Sequence, residues 1–127
     1  MNRPAKHQPP AAVEHALQLW VWIDGHLQHL PTHARASAGA ALVATSLALL
    51  NALNRAAWKP HRSADARVAL REACEHAAFL RLLVRGMHVR QYFSDAQYEY
   101  AAKQVETLGR MIAGWLRASE DTPRARG

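Results

Sequence analysis

The sequence predicts an all-α protein, an antiparallel up-down-up-down four-helix bundle. Its 127 residues are half hydrophobic but only 7% aromatic, with 26 alanines, a composition that favours helix over the β-branched and aromatic mixture of strands. Four segments place apolar residues at alternating three- and four-residue steps. The turns between them are very short, which leaves neighbouring helices of opposite direction. The length suits one domain. Proline-containing ends at 1–10 and 120–127 read as flexible tails around a bundle over 11–119.

The first helix is expected over about Ala11 to Leu30, with Val13, Ala16, Trp20, Ile23, Leu27 and Leu30 on one face and Pro31 as its stop. The second runs from about Thr32, a candidate N-cap, to Trp58, with Pro60 just beyond. Ser63 opens the third, whose seam is Leu70, Ala73, Ala77, Leu80, Val84 and Met87, with Phe79, Leu83 and Gly86 widening the apolar surface. Ser94-Asp95-Ala96-Gln97 fits a capping box and starts the fourth. Its seam is Tyr98, Ala101, Val105, Leu108, Ile112 and Trp115, and Glu99–Lys103 and Glu106–Arg110 sit four apart on the outer side.

The second helix carries an unusual pattern. Ala36, Ala40, Ala44, Ala48, Ala52 and Ala56 recur every four residues, with Val43, Leu47, Leu50 and Leu53 beside them. Such a ridge of methyls lets another backbone come close. It serves either tight packing inside the bundle or a subunit interface, with the leucines filling the core. No residue from Ala36 to Asn54 is charged, a length that could span a membrane. Ser37, Thr45, Ser46, Asn51 and Asn54 interrupt it, however, and alanine gains little from lipid. The expectation is a helix buried on more than one side, with no membrane partner.

One cysteine, Cys74, excludes an intrachain disulfide and a cysteine-based zinc finger. With no signal peptide, it points to the cytoplasm. Eight histidines raise the question of metal, and His26, His29 and His33 are three and four apart, but Pro31 interrupts them. No glutamate is followed three residues later by histidine, as a di-iron bundle requires. No phosphate loop or nucleophile elbow is present. Cys74 and His76 point to different helix faces. No metal, cofactor or catalytic residue is expected.

The net charge is +6, and 13 of the 16 cations are arginine. Arg67, Arg71, Arg81 and Arg85 share one flank of the third helix, and Arg55, Lys59, His61 and Arg62 cluster at the preceding turn. Arginine's planar fork suits phosphate. A row of this kind is either a solvated face or a sequence-tolerant, salt-sensitive site for the backbone of RNA or DNA.

Three stretches, Phe79 to Arg85, Ser94 to Tyr98, and Leu108-Gly109-Arg110-Met111-Ile112-Ala113-Gly114-Trp115-Leu116, carry a resemblance. It covers roughly residues 12 to 118 and is most specific in the last stretch. There the chain resembles the four-helix family that contains the accessory variability determinant proteins of diversity-generating retroelements and the large-subunit rRNA intervening-sequence proteins. In the second helix Leu50-Asn51-Ala52-Leu53-Asn54 stands where many intervening-sequence proteins have Asn-Ile-x-Glu-Gly, which draws the resemblance towards the accessory determinants. The resemblance implies a non-catalytic, basic homopentamer that binds a reverse transcriptase and nucleic acid, with the alanine ridge packing adjacent subunits. It also implies that Gly109 and Gly114 permit close approach and that Trp115 fills the core. Five copies would gather about +30 charges on one particle. The alternative is a protein-interaction scaffold of the intervening-sequence type with no nucleic-acid role.

Overall fold

The structure, a computed structural model, describes residues 10–120. The described chain is all-helical: α1 (Ala11–Leu27), α2 (Thr32–Trp58), α3 (Ala64–Val89) and α4 (Asp95–Glu120). Each helix packs on the next and α1 also packs on α4, with the most extensive packing between α2 and α3. Apart from Pro10 and Glu120, the expected tails lie outside the described residues.

The helix starts follow local chemistry. Pro10 holds the N-cap position of α1, and its carbonyl accepts from the Val13 amide at 2.9 Å. Pro31, not Thr32, holds that position in α2 (φ −58°, ψ 152°). Its fixed φ with an extended ψ turns the chain into the helix, and its carbonyl accepts from the Ala34 and Arg35 amides. Ser63 Oγ accepts from the Ala66 amide at 3.0 Å. Ser94 and Gln97 form the reciprocal capping box: the Ser94 amide donates to Gln97 Oε1 (2.8 Å) and the Gln97 amide to Ser94 Oγ (3.1 Å). Of the two expected pairs on α4, Glu106–Arg110 closes, at 3.6 Å.

The seams of α3 and α4 lie in the core as expected, except that Tyr98 and Trp115 are half-buried against its edge. On α1, Leu19 is buried where Trp20 was expected, and Trp20 is half-buried. α2 departs more. Its core residues are Leu42, Leu49, Ala52, Leu53 and Ala56, with Thr45 and Ser46, whereas Leu47 is exposed and Val43 and Leu50 are half-buried. A four-residue step advances about 40° beyond a full turn, so six alanines wind roughly 200° around the helix and cannot keep to one face.

A π-helical turn at Arg35–Gly39, unforeseen in the sequence, lies near the start of α2. Gly39 is buried there, and a Cβ on it would sit 3.2 Å from the Ala34 carbonyl oxygen and 3.5 Å from Leu27 Cδ1. Glycine therefore lets this turn close against the end of α1. Added Cβ atoms on Gly109 and Gly114 meet no backbone of the same chain within 4 Å. Among the described residues, Thr32–Trp58 is the one helix long and apolar enough to cross a membrane, with mean hydropathy 1.6 over its 18-residue window and 33% of that window buried.

Leu80 is fully buried and its neighbour Leu82 points outward. Leu80→Ala is expected to cost about 2–5 kcal/mol in urea unfolding, and Leu82→Ala to stay within about 0.5 kcal/mol of the parent. Equal losses would show that the two faces of α3 are wrongly distinguished.

Candidate nucleic-acid interface

The α2–α3 turn begins the basic region. Lys59 is extended, and Arg62 takes a left-handed conformation (φ 67°), uncommon outside glycine. Arg67 braces it: Nη1 donates to the Arg62 carbonyl at 2.8 Å and reaches the Ser119 carbonyl on α4 at 3.5 Å. Arg67 therefore has a structural task besides its charge. Lys59, His61 and Arg62 are exposed.

The cluster at the turn and the row on α3 do not form one continuous strip. Arg55 pairs across to Glu72 at 2.6 Å, on the α2 side of α3, whereas Arg71 pairs with Glu120 of α4 at 2.7 Å, on the other side. Adjacent positions 71 and 72 diverge by about 100° around a helix, so Arg55 belongs to a different surface from the row Arg67, Arg71, Arg81 and Arg85. The pairs are exposed, with side chains 42–55% accessible. Such pairs hold by about 0–1 kcal/mol, so a phosphate can displace the carboxylate at little cost. Among the described residues Arg81 and Arg85 form no ion pair.

Arg81 also lines a groove of about 390 Å³ between α3 and α4. Ala77, Ala78, Gly109 and Ala113 form its lining of small residues, Arg110 and Glu106 line it from α4, and Cys74 lies within it. Arg110 is a cation the sequence reading missed as part of this surface, because its spacing from Glu106 explained it as a helix pair. Small residues and guanidinium groups leave room for a phosphate or a sugar and supply hydrogen-bond donors to it. The site offers hydrogen-bond donors to an anion.

The alanines of α2 divide as well. Ala36, Ala40 and Ala44 are exposed, Ala48 is half-buried, and Ala52 and Ala56 are in the core. A subunit interface can therefore use only the first part of the expected ridge, since the drift of the four-residue step carries the rest inward.

Three of the histidines are engaged locally, whereas the buried Nε2 of His15 has no hydrogen-bond partner among the described residues. His26 Nδ1 lies 2.8 Å from the Trp22 carbonyl, with its ring stacked on Trp22 at 4.0 Å. His88 Nε2 lies 2.8 Å from Asp95 Oδ1 and stacks on Tyr98 at 4.3 Å. His33 Nε2 is 3.4 Å from the Tyr92 hydroxyl. No group of three potential ligands converges among the described residues. Arg90 sits over the Tyr92 ring and donates to its hydroxyl, which raises the guanidinium pKa further.

Partial burial, and then the nearby charge of Glu75, push the Cys74 thiol above its ordinary pKa. Less thiolate is present at a given pH, so Cys74 is expected to alkylate with iodoacetamide more slowly than free cysteine at pH about 8, with the rate still rising well above pH about 8.5. A rate that levels off below that pH would contradict this environment. No family model, characterised protein or solved structure matches the chain.

Proposed function

We propose that this chain is a non-enzymatic accessory protein that binds RNA or DNA through phosphate contacts, as a homo-oligomer in the cytoplasm. One observation carries the reading: the exposed guanidinium row of Arg71, Arg81 and Arg85, continued by Arg67 and faced across the groove by Arg110. Lys59 and Arg62 extend it at the turn, and Arg55 is a separate basic position on the α2 side. The resemblance to accessory variability determinants supplies the role, that of partner to a reverse transcriptase, and the pentameric state.

The proposed arrangement is antiparallel, up-down-up-down. It is supported by Arg71, early in α3, meeting Glu120 at the end of α4, and by His88, late in α3, meeting Asp95 at the start of α4. Trp22, late in α1, likewise has its ring centroid 5.1 Å from that of Tyr100, early in α4. Subunits would meet through the uncharged outward side of α2, at Ala36, Ala40, Ala44 and Leu47, where copies of a +6 chain bring no like charges together. That same uncharged face favours a second reading, a protein-interaction scaffold with no nucleic-acid role.

RNA binding at two salt concentrations separates the readings. If four phosphates are neutralised, affinity for a single-stranded RNA falls roughly 50-fold between about 50 and about 200 mM salt. The variant with Arg67, Arg71, Arg81 and Arg85 all changed to Glu should lose it. Absence of binding at the lower salt would leave the scaffold reading. Light scattering should give a multiple of the 14.1 kDa chain mass, and a monomer mass would remove the proposed assembly.

A further inference from the structure

We propose that the outward face of α3 between Phe79 and Arg90 docks an acidic amphipathic helix of a partner protein. Phe79, Leu82, Gly86 and Val89 follow three-, four- and three-residue steps, the spacing of a helix-pairing seam. They lie apart from the core seam of Leu80, Val84 and Met87, so α3 is apolar on two sides. Phe79 is 50% exposed, Leu82 59% and Val89 71%. An apolar strip of this length matches the three or four anchors by which an amphipathic helix lies on a surface.

Charge selects the occupant. From Phe79 to Arg90 there is no acidic residue, while Arg81, Arg85 and Arg90 are all exposed. Helical geometry puts Arg81 and Arg85 on the α4 side of the seam and Arg90 on the other. The preceding stretch of the same face carries Glu75, and Glu72 is tied to Arg55, so the basic and apolar section starts at Phe79. A second copy meeting this face with its own would bring these arginines against their own kind, which is repulsive. A helix with leucines at its seam and glutamates beside them answers both the apolar and the charged parts.

Gly86 lies on the same face. It is exposed within α3, and a Cβ there would meet nothing within 4 Å. Glycine in a helix interior is less favourable than alanine by up to about 1 kcal/mol, and nothing inside the bundle requires it. Its lack of a side chain is useful to a backbone approaching from outside. This inference does not rest on nucleic-acid binding, because Leu82 and Val89 carry it and phosphate does not need them.

The test uses the full chain and a fluorescein-labelled peptide of about three heptads with leucines at the seam and glutamates flanking them, read by fluorescence anisotropy. The expected result is saturable binding, at least about tenfold weaker for a twin peptide with lysines in place of the glutamates. Leu82→Ala with Val89→Ala should weaken binding by about tenfold or more and leave the unfolding midpoint and RNA affinity unchanged. Gly86→Ala should raise the unfolding midpoint and yet weaken the peptide. Absence of saturation, or equal binding of both peptides, would overturn the proposal. So would a change of particle mass in the Leu82/Val89 variant, which would make the face a contact between copies. Seam-dependent binding to vesicles of equal parts phosphatidylcholine and phosphatidylglycerol, with none to the peptide, would overturn it in favour of a membrane surface.

Discussion

Alanine in the contacts of α2 and α3 is the constraint on which the rest depends. Ala52 and Ala56 on α2, and Ala66, Ala69, Ala73 and Ala77 on α3, are all buried. Small side chains let helices approach closely, but each buries little more than a methyl, worth about 0.8 kcal/mol. Stability must then come from the larger buried residues, among them Ile23, Leu42, Leu49, Leu53, Leu70, Leu80, Leu108 and Ile112. A slim core of this kind does not absorb all the apolar residues of its helices. Leu47 on α2 and Phe79, Leu82 and Val89 on α3 stay outside.

The outward surfaces consequently differ in chemistry. α2 shows an uncharged face from Ala36 to Asn54, and α3 shows an apolar seam bordered by arginines. The flank between α3 and α4 carries guanidinium groups beside a groove lined by small residues. Among the described residues, cations on that flank are held loosely or not at all, since exposed ion pairs contribute little. Arg67 is the exception, because it also ties the strained Arg62 turn to the end of α4. Its replacement therefore disturbs the turn as well as the charge, whereas Arg81 and Arg85 report on charge alone.

How much was legible in the sequence depended on how local the causes were. The caps at Ser63 and Ser94 rest on residues three apart, and the core seams of α3 and α4 rest on one helical period, so both could be read directly. α2 was harder. A four-residue repeat resembles a face but drifts around the helix, and the π turn at Arg35–Gly39 has no signal except a buried glycine. The arginine row was legible as a set of positions, but its division was not. Glu72 lies 17 residues from Arg55 and Glu120 lies 49 residues from Arg71, and only the packing of helices brings them together. Arg110 was hidden for the same reason, because the groove it shares with Arg81 exists only once α3 and α4 meet.

The central claim is that anionic backbone is bound on the α3–α4 flank, away from the uncharged face of α2. The most direct measurement is an NMR titration of the labelled protein with a short single-stranded RNA, following arginine side-chain NH and alanine methyl signals together. The account predicts saturable shifts at Arg71, Arg81, Arg85 and Arg110, with the methyls of Ala36, Ala40 and Ala44 unmoved. Shifts confined to those methyls, or no saturable shift at low salt, would contradict it.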